Sequence, residues 1–159
     1  MIDFSLPHHD WQQRIDPLLR NVNLEKIENS KTVISYYQGA YGPTIRIDVK
    51  TKEWLEYFKG CVFSIIEGAE ESIKLECLDD VEPIDAISLS LVKVHIKKHP
   101  KVLMADTNGK IHCFTWFLDK DALIDLVGLI DGLLDCDQPG HQYLTNDDDI
   151  VLIILAYKE

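Results

Sequence analysis

The segment Lys120 to Leu134 carries apolar side chains at Leu123, Ile124, Leu126, Val127, Leu129, Ile130, Leu133 and Leu134. Asp121, Asp125, Gly128, Gly132 and the following Asp135 are left as a narrow opposite stripe. A surface helix needs one apolar face, so a helix this widely apolar has to be largely covered by other elements. Asp119 stands ahead of it as N-cap, and Asp121 in its first turn suits the positive end of the helix dipole.

Most of the remaining patterned chain reads as strand. Thr32 to Gln38 and Thr44 to Lys50 form a hairpin through Gly39-Ala40-Tyr41-Gly42-Pro43, because Ile45, Ile47 and Val49 alternate with Arg46, Asp48 and Lys50. Lys52 to Lys59 is a short helix closed by Gly60, with Trp54, Leu55 and Phe58 at helical spacing. Cys61 to Ile66 and Glu71 to Leu78 make a second strand pair around Gly68. Ile87 to Lys98 is a long strand whose apolar parity switches at Leu91-Val92, the mark of a bulge, and whose outward face carries Lys93, His95, Lys97 and Lys98. Asp106-Thr107-Asn108-Gly109 is a hairpin turn into the strand Lys110 to Phe117. Ile150 to Tyr157 is apolar without interruption, as a central strand is. Near the start, His8 to Val22 is a short helix with Asp10 as N-cap and Pro17 interrupting it.

Strands grouped before a late helix give an α+β fold. We expect a mainly antiparallel sheet of about six to seven strands, one long helix in the C-terminal half and a short N-terminal helix. No Pro/Gly/Ser-rich linker divides the chain, and its 159 residues, 46% apolar and 27% charged, suit one globular domain spanning 1–159. The opening Met1-Ile2-Asp3-Phe4-Ser5-Leu6-Pro7 has no secretory pattern, and the longest apolar run is far too short to span a bilayer, so a cytoplasmic, membrane-free protein is expected.

The usual catalytic and metal signatures are missing. Cys61, Cys77, Cys113 and Cys136 contain no CxxC, which removes a zinc ribbon. Three of them sit among apolar residues as buried thiols, and Cys136, between Asp135 and Asp137, is the exposed one. His8-His9-Asp10 lacks a third ligand nearby. His95 and His99 have ligand spacing only on a helix, and Asp147 to Asp149 lacks the spacing of a calcium loop, so no metal is expected. Nothing resembles a phosphate-binding glycine loop, and no cofactor is expected.

Charge is the remaining signal. Glu67 to Asp85 holds eight acidic residues against one lysine, and Asp119 to Asp149 holds nine against one, in a chain of formal charge −11. The rest of the molecule is slightly positive. Two acidic blocks on such a body are suited to a positively charged partner, and equally to solubility alone. The residues we expect to meet a partner are Glu70, Glu71, Asp79, Asp80, Asp135, Asp137, His141, Tyr143, Asp147, Asp148 and Asp149. Tyr36, Tyr37, Tyr41 and Tyr143 are the expected exposed anchors. Nucleic acid is excluded by the charge, and the strip Lys93, Lys97, Lys98 and Lys101 has no interleaved aromatics on which bases would stack.

The run Gly140-His141-Gln142-Tyr143-Leu144, followed by an acidic turn and the apolar Ile150 to Leu155, resembles the ending of several bacterial immunity-protein families, which carry a Gly-His-x-His/Tyr-Leu segment before a final strand. Tyr143 stands where a second histidine is common. The resemblance covers about 20 residues. It implies a non-catalytic cytosolic inhibitor that binds the toxin domain of a polymorphic or contact-dependent growth-inhibition system. The acidic blocks suit a basic, nuclease-type toxin, positive where it grips phosphate, and the monomer is the favoured state. Two alternatives stay open at this level. One is a small enzyme with a site near His141; the other is a homo-oligomeric adaptor pairing through a sheet edge such as Thr32 to Gln38.

Overall fold

The protein was analysed as a computed structural model, which describes residues 31–84, 86–105, 109–136, 138–145 and 149–157. The expected N-terminal helix at His8 to Val22 lies outside the described residues. In chain order the elements are β1 (Thr32–Gly39), β2 (Gly42–Val49), α1 (Lys52–Ile66), β3 (Ser72–Lys74), a 3₁₀ turn (Leu75–Cys77), β4 (Val81–Pro83), β5 (Ile87–Lys93), β6 (Lys101–Ala105), β7 (His112–Leu118), α2 (Lys120–Leu134), β8 (Gly140–Tyr143) and β9 (Leu152–Tyr157).

The fold is α+β, but the expected single, mainly antiparallel sheet is corrected. Among the described residues nine strands form two mixed sheets, one in the order β4-β1-β2-β9-β8 and the other β3-β5-β7-β6. The pairs β1/β4, β2/β9 and β5/β7 are parallel. Hairpins account for the antiparallel pairs β1/β2, β6/β7 and β8/β9. In the first hairpin Gly42 sits at φ 105°, a backbone region that costs glycine little, directly after the Ala40-Tyr41 turn.

Several expected elements change type. Gly60 does not end a short helix: α1 runs through it to Ile66, so Cys61 to Ile66 is helix and not strand. The buried set Trp54, Leu55, Phe58, Cys61, Val62 and Ile65 follows one helical stripe across the glycine, and Gly60 lies on the exposed side. Thr51 caps the start, its hydroxyl accepting from the Trp54 N–H at 3.2 Å. Of the expected strand Glu71 to Leu78 only Ser72–Lys74 is extended, and it pairs with β5, not with Cys61 to Ile66. The parity switch at Leu91-Val92 marks the end of β5 two residues later rather than a bulge within a longer strand, so Lys97 and Lys98 leave the sheet. Gly140 to Tyr143 is a strand, not a loop.

The helix α2 and strand β9 match their expected positions. Asp119 caps α2 through the Ala122 N–H at 2.8 Å, and β9 lies between β2 and β8 with Ile153 to Tyr157 buried. One contiguous apolar core takes side chains from both helices and both sheets. Within it Tyr36 of β1 meets His112 and Phe114 of β7, with ring centroids 4.4 and 5.4 Å apart, joining the sheets. The helices pack on each other. Lys59 Nζ reaches Asp131 Oδ1 at 2.7 Å, and Lys52 Nζ donates at 3.1 Å to the Leu134 carbonyl at the end of α2, where a helix cannot supply its own donors. Among the described residues no helix is long and apolar enough to cross a membrane.

Candidate binding surface

Strand alternation divides the five-stranded sheet into two faces. Ile34, Tyr36, Ile45, Ile47, Val49, Ile153, Leu155 and Tyr157 point to the core. The registers then put Tyr37, Arg46, Asp48, His141 and Tyr143 on the opposite face, because Tyr37 pairs with Thr44, Arg46 with Ile154, Asp48 with Ala156, His141 with Ala156 and Tyr143 with Ile154. One row runs Glu82, Val33, Asp48, Ala156, His141 across all five strands, roughly 19 Å at the usual strand spacing. In the middle of the face Ile154 and Ala156 are 9% and 1% exposed. The accessible surface is therefore carried by Tyr37 at 39%, Tyr143 at 55%, and the polar side chains between and beside them.

The polar centre of this face is neutral. Arg46 Nε donates to Asp48 Oδ1 at 2.8 Å. That bond holds the guanidinium charged above its ordinary range, against the opposing pull of burial, with smaller help from Tyr37. His141 and Tyr143 stand two apart on β8 and meet edge-on, centroids 5.2 Å apart. Their intervening neighbour Gln142 faces the other way, over α2, where its amide would meet a side chain built at Gly132. The β8–β9 loop is pinned by Thr145, whose hydroxyl donates to the Val151 carbonyl at 3.0 Å and accepts from the Ile153 N–H at 2.9 Å. This makes a rigid platform of two tyrosines, an arginine, an aspartate and a histidine. Such a surface is able to bind by aromatic packing and hydrogen bonding.

Of the expected partner-facing residues, His141 and Tyr143 lie on this platform. Asp135, the C-cap residue of α2, is exposed in the segment that leads into β8, and Asp149 lies in the loop between β8 and β9. Asp137, Asp147 and Asp148 lie outside the described residues. Of the first acidic block Glu82 edges this face, and the expected residues lie elsewhere. Glu70 and Glu71 precede β3 in the other sheet, where Glu71 bonds His95 at 2.8 Å. Asp79 accepts the Trp54 indole N–H on its carbonyl at 2.9 Å and donates its own N–H to the Tyr57 hydroxyl at 3.1 Å. Asp80, at φ 58°, accepts the Thr32 N–H on its carbonyl at 2.8 Å. The two blocks are thus not one surface.

Part of the acidity is structural. Glu76 bonds the Ser88 hydroxyl and accepts the Leu89 N–H at 3.1 Å, and Asp131 pairs with Lys59. Asp119 accepts the Lys98 N–H at 3.0 Å in addition to capping α2. Of the expected anchors, Tyr36 is corrected to a core-side residue. Tyr41, 87% exposed, tips the first hairpin. Arg46 and Asp48 escaped the sequence reading because their meeting with His141 and Tyr143 depends on the parallel β2/β9 pairing. Two of the four thiols depart from expectation: Cys61 is buried and Cys136 exposed as expected, but Cys113 is half-buried and Cys77 exposed.

No protein-family model matches this chain, and no curated protein matches it.

Proposed function

We propose that this protein is a cytosolic binding protein that neutralises a cognate toxin domain by direct contact. The observation that carries the proposal is the sheet face on which Tyr37, Arg46, His141 and Tyr143 stand accessible together on a molecule of net charge −11. Aromatic residues and arginine dominate the energetics of protein interfaces, and a rim of opposite charge steers the encounter. Glu82, in register with Val33 on this face, supplies acidic charge at one edge, and Asp135 and Asp149 flank β8 in the chain. The Gly140-His141-Gln142-Tyr143-Leu144 segment, which resembles the ending of immunity proteins, forms one border of the face. A basic, nuclease-type toxin domain is the partner that such a rim favours, since a nuclease is positive where it grips phosphate.

The test is affinity capture with the tagged protein, paired with the product of the neighbouring gene, at low and high salt, with bound partners identified by mass. A basic domain recovered one-to-one, more weakly at high salt and not at all by the Tyr37→Ala/Tyr143→Ala double variant, is expected. Equal capture by that double variant would remove this face from the reading. Absence of any partner would remove the reading itself.

A further inference from the structure

We propose that the edge strand β6, Lys101–Ala105, is a second interaction surface, one that accepts an extended acidic polypeptide segment as an added strand. Among the described residues β6 is the last strand of the four-stranded sheet. Antiparallel pairing with β7 satisfies alternate residues of β6 and turns the N–H and C=O groups of the others away from the sheet. Those groups are a template for a further strand.

Two observations define what would pair there. Leu103 and Met104 on the strand are 46% and 58% exposed, and Ile96 and Ile111 beside it are 71% and 46% exposed. Four of the chain's exposed large apolar side chains therefore fall within one short stretch. The same stretch holds Lys97, Lys98, Lys101 and Lys110, all exposed and without an ion pair among the described residues. Lys93 and His95 are excluded from this set, since they bond the Ile66 carbonyl and Glu71.

A protein of net charge −11 thus gathers exposed lysines around its apolar edge. A strand alternating carboxylates with aliphatic side chains complements both features, because successive side chains of a strand take opposite faces. A nucleic acid does not fit, because a phosphate backbone cannot complete a strand ladder. A second copy paired edge to edge would bring two lysine rims together. This surface lies on a different sheet from the Tyr37–Tyr143 face and stands whether or not that face binds a toxin.

The probe is an acetylated ten-residue peptide alternating glutamate and valine, titrated into ¹⁵N-labelled protein. Perturbed amides in Lys101 to Ala105 and their flanks are expected, with affinity falling at least tenfold from low to high salt. A Lys97→Glu/Lys98→Glu/Lys101→Glu variant should bind at least tenfold more weakly while its thermal transition stays in place. Perturbations confined to other elements would overturn the proposal, as would equal binding of a lysine–valine peptide or of oligothymidylate. A dimer with protected β6 amides would assign the edge to a second copy instead. If the variant unfolds, Leu103→Glu, on the exposed side of β6, replaces it and must weaken binding of the glutamate–valine peptide with the thermal transition unchanged.

Discussion

Asp119 shows how one acidic residue serves structure before surface. Its carboxylate accepts the Ala122 N–H at the start of α2 and the Lys98 N–H from the segment after β5, and these bonds, in that order, hold its pKa below the ordinary 3.8. A carboxyl depressed in the folded state adds stability above its unfolded pKa and loses it as pH falls through the folded value. Asp119→Asn keeps a competent cap and removes the charge. We therefore expect the variant to melt a few degrees below wild type at pH 7, with the gap closing as the pH is lowered through the acid range. A gap that persists at pH 2 would show that packing, not charge, is responsible. A second residue-scale contrast concerns thiols. Burial pushes Cys61 up to about 11, whereas Cys77 and Cys136 are exposed. At pH 8 a thiol-exchange reagent should modify Cys77 and Cys136 promptly and Cys61 only with unfolding, which peptide mapping would read directly. The cap was legible in the sequence because capping is local. The bonds of Glu71, Glu76 and Asp131 were not, since each joins segments more than ten residues apart.

At the scale of elements, the sequence is clear where one periodicity runs unbroken and unclear where a single glycine carries the decision. The stripe from Trp54 to Ile65 keeps helical spacing across Gly60, and weighting that glycine as a stop signal cut α1 in half. The helix tolerates it at a cost. A Cβ built at Gly60 or at Gly128 meets nothing within 4 Å, and both positions are exposed. Gly60→Ala and Gly128→Ala should each stabilise the protein by roughly 0.5–1 kcal/mol, additively, measured by urea unfolding. Gly132→Ala should gain less, because its Cβ would come within 3.1 Å of the Gln142 amide. Equal gains at all three would mean that β8 yields freely to α2. The two-sheet arrangement had no comparable local signal. Hairpin strands announce their partner through a turn, but the parallel pairs β1/β4, β2/β9 and β5/β7 join strands separated by whole elements, and alternation alone does not say which strands meet.

Over the whole molecule, the same non-local pairing assembles the candidate interface, since Tyr37 and Arg46 reach His141 and Tyr143 only through β9. His141 and Tyr143 were legible as a segment; their companions were not. The arrangement separates two contributions to binding that mutation can test independently. Carboxylates such as Glu82 act on the encounter through a field that salt screens, with a Debye length of about 10 Å at 0.1 M ionic strength. Tyr37 and Tyr143 act only after contact, by leaving water. With the captured partner immobilised, Glu82→Lys/Asp135→Lys should slow association at low salt, and the difference from wild type should vanish as salt rises, with dissociation little changed. Tyr143→Ala should leave association nearly intact and speed dissociation by roughly tenfold or more, the scale of an interface anchor worth over 1 kcal/mol. Tyr41→Ala, at the hairpin tip outside the platform, is the internal comparison and should change neither rate. If Tyr41 mattered and Tyr143 did not, the partner would sit on the end of the first hairpin, and the charged rim around β8 would be left to solubility.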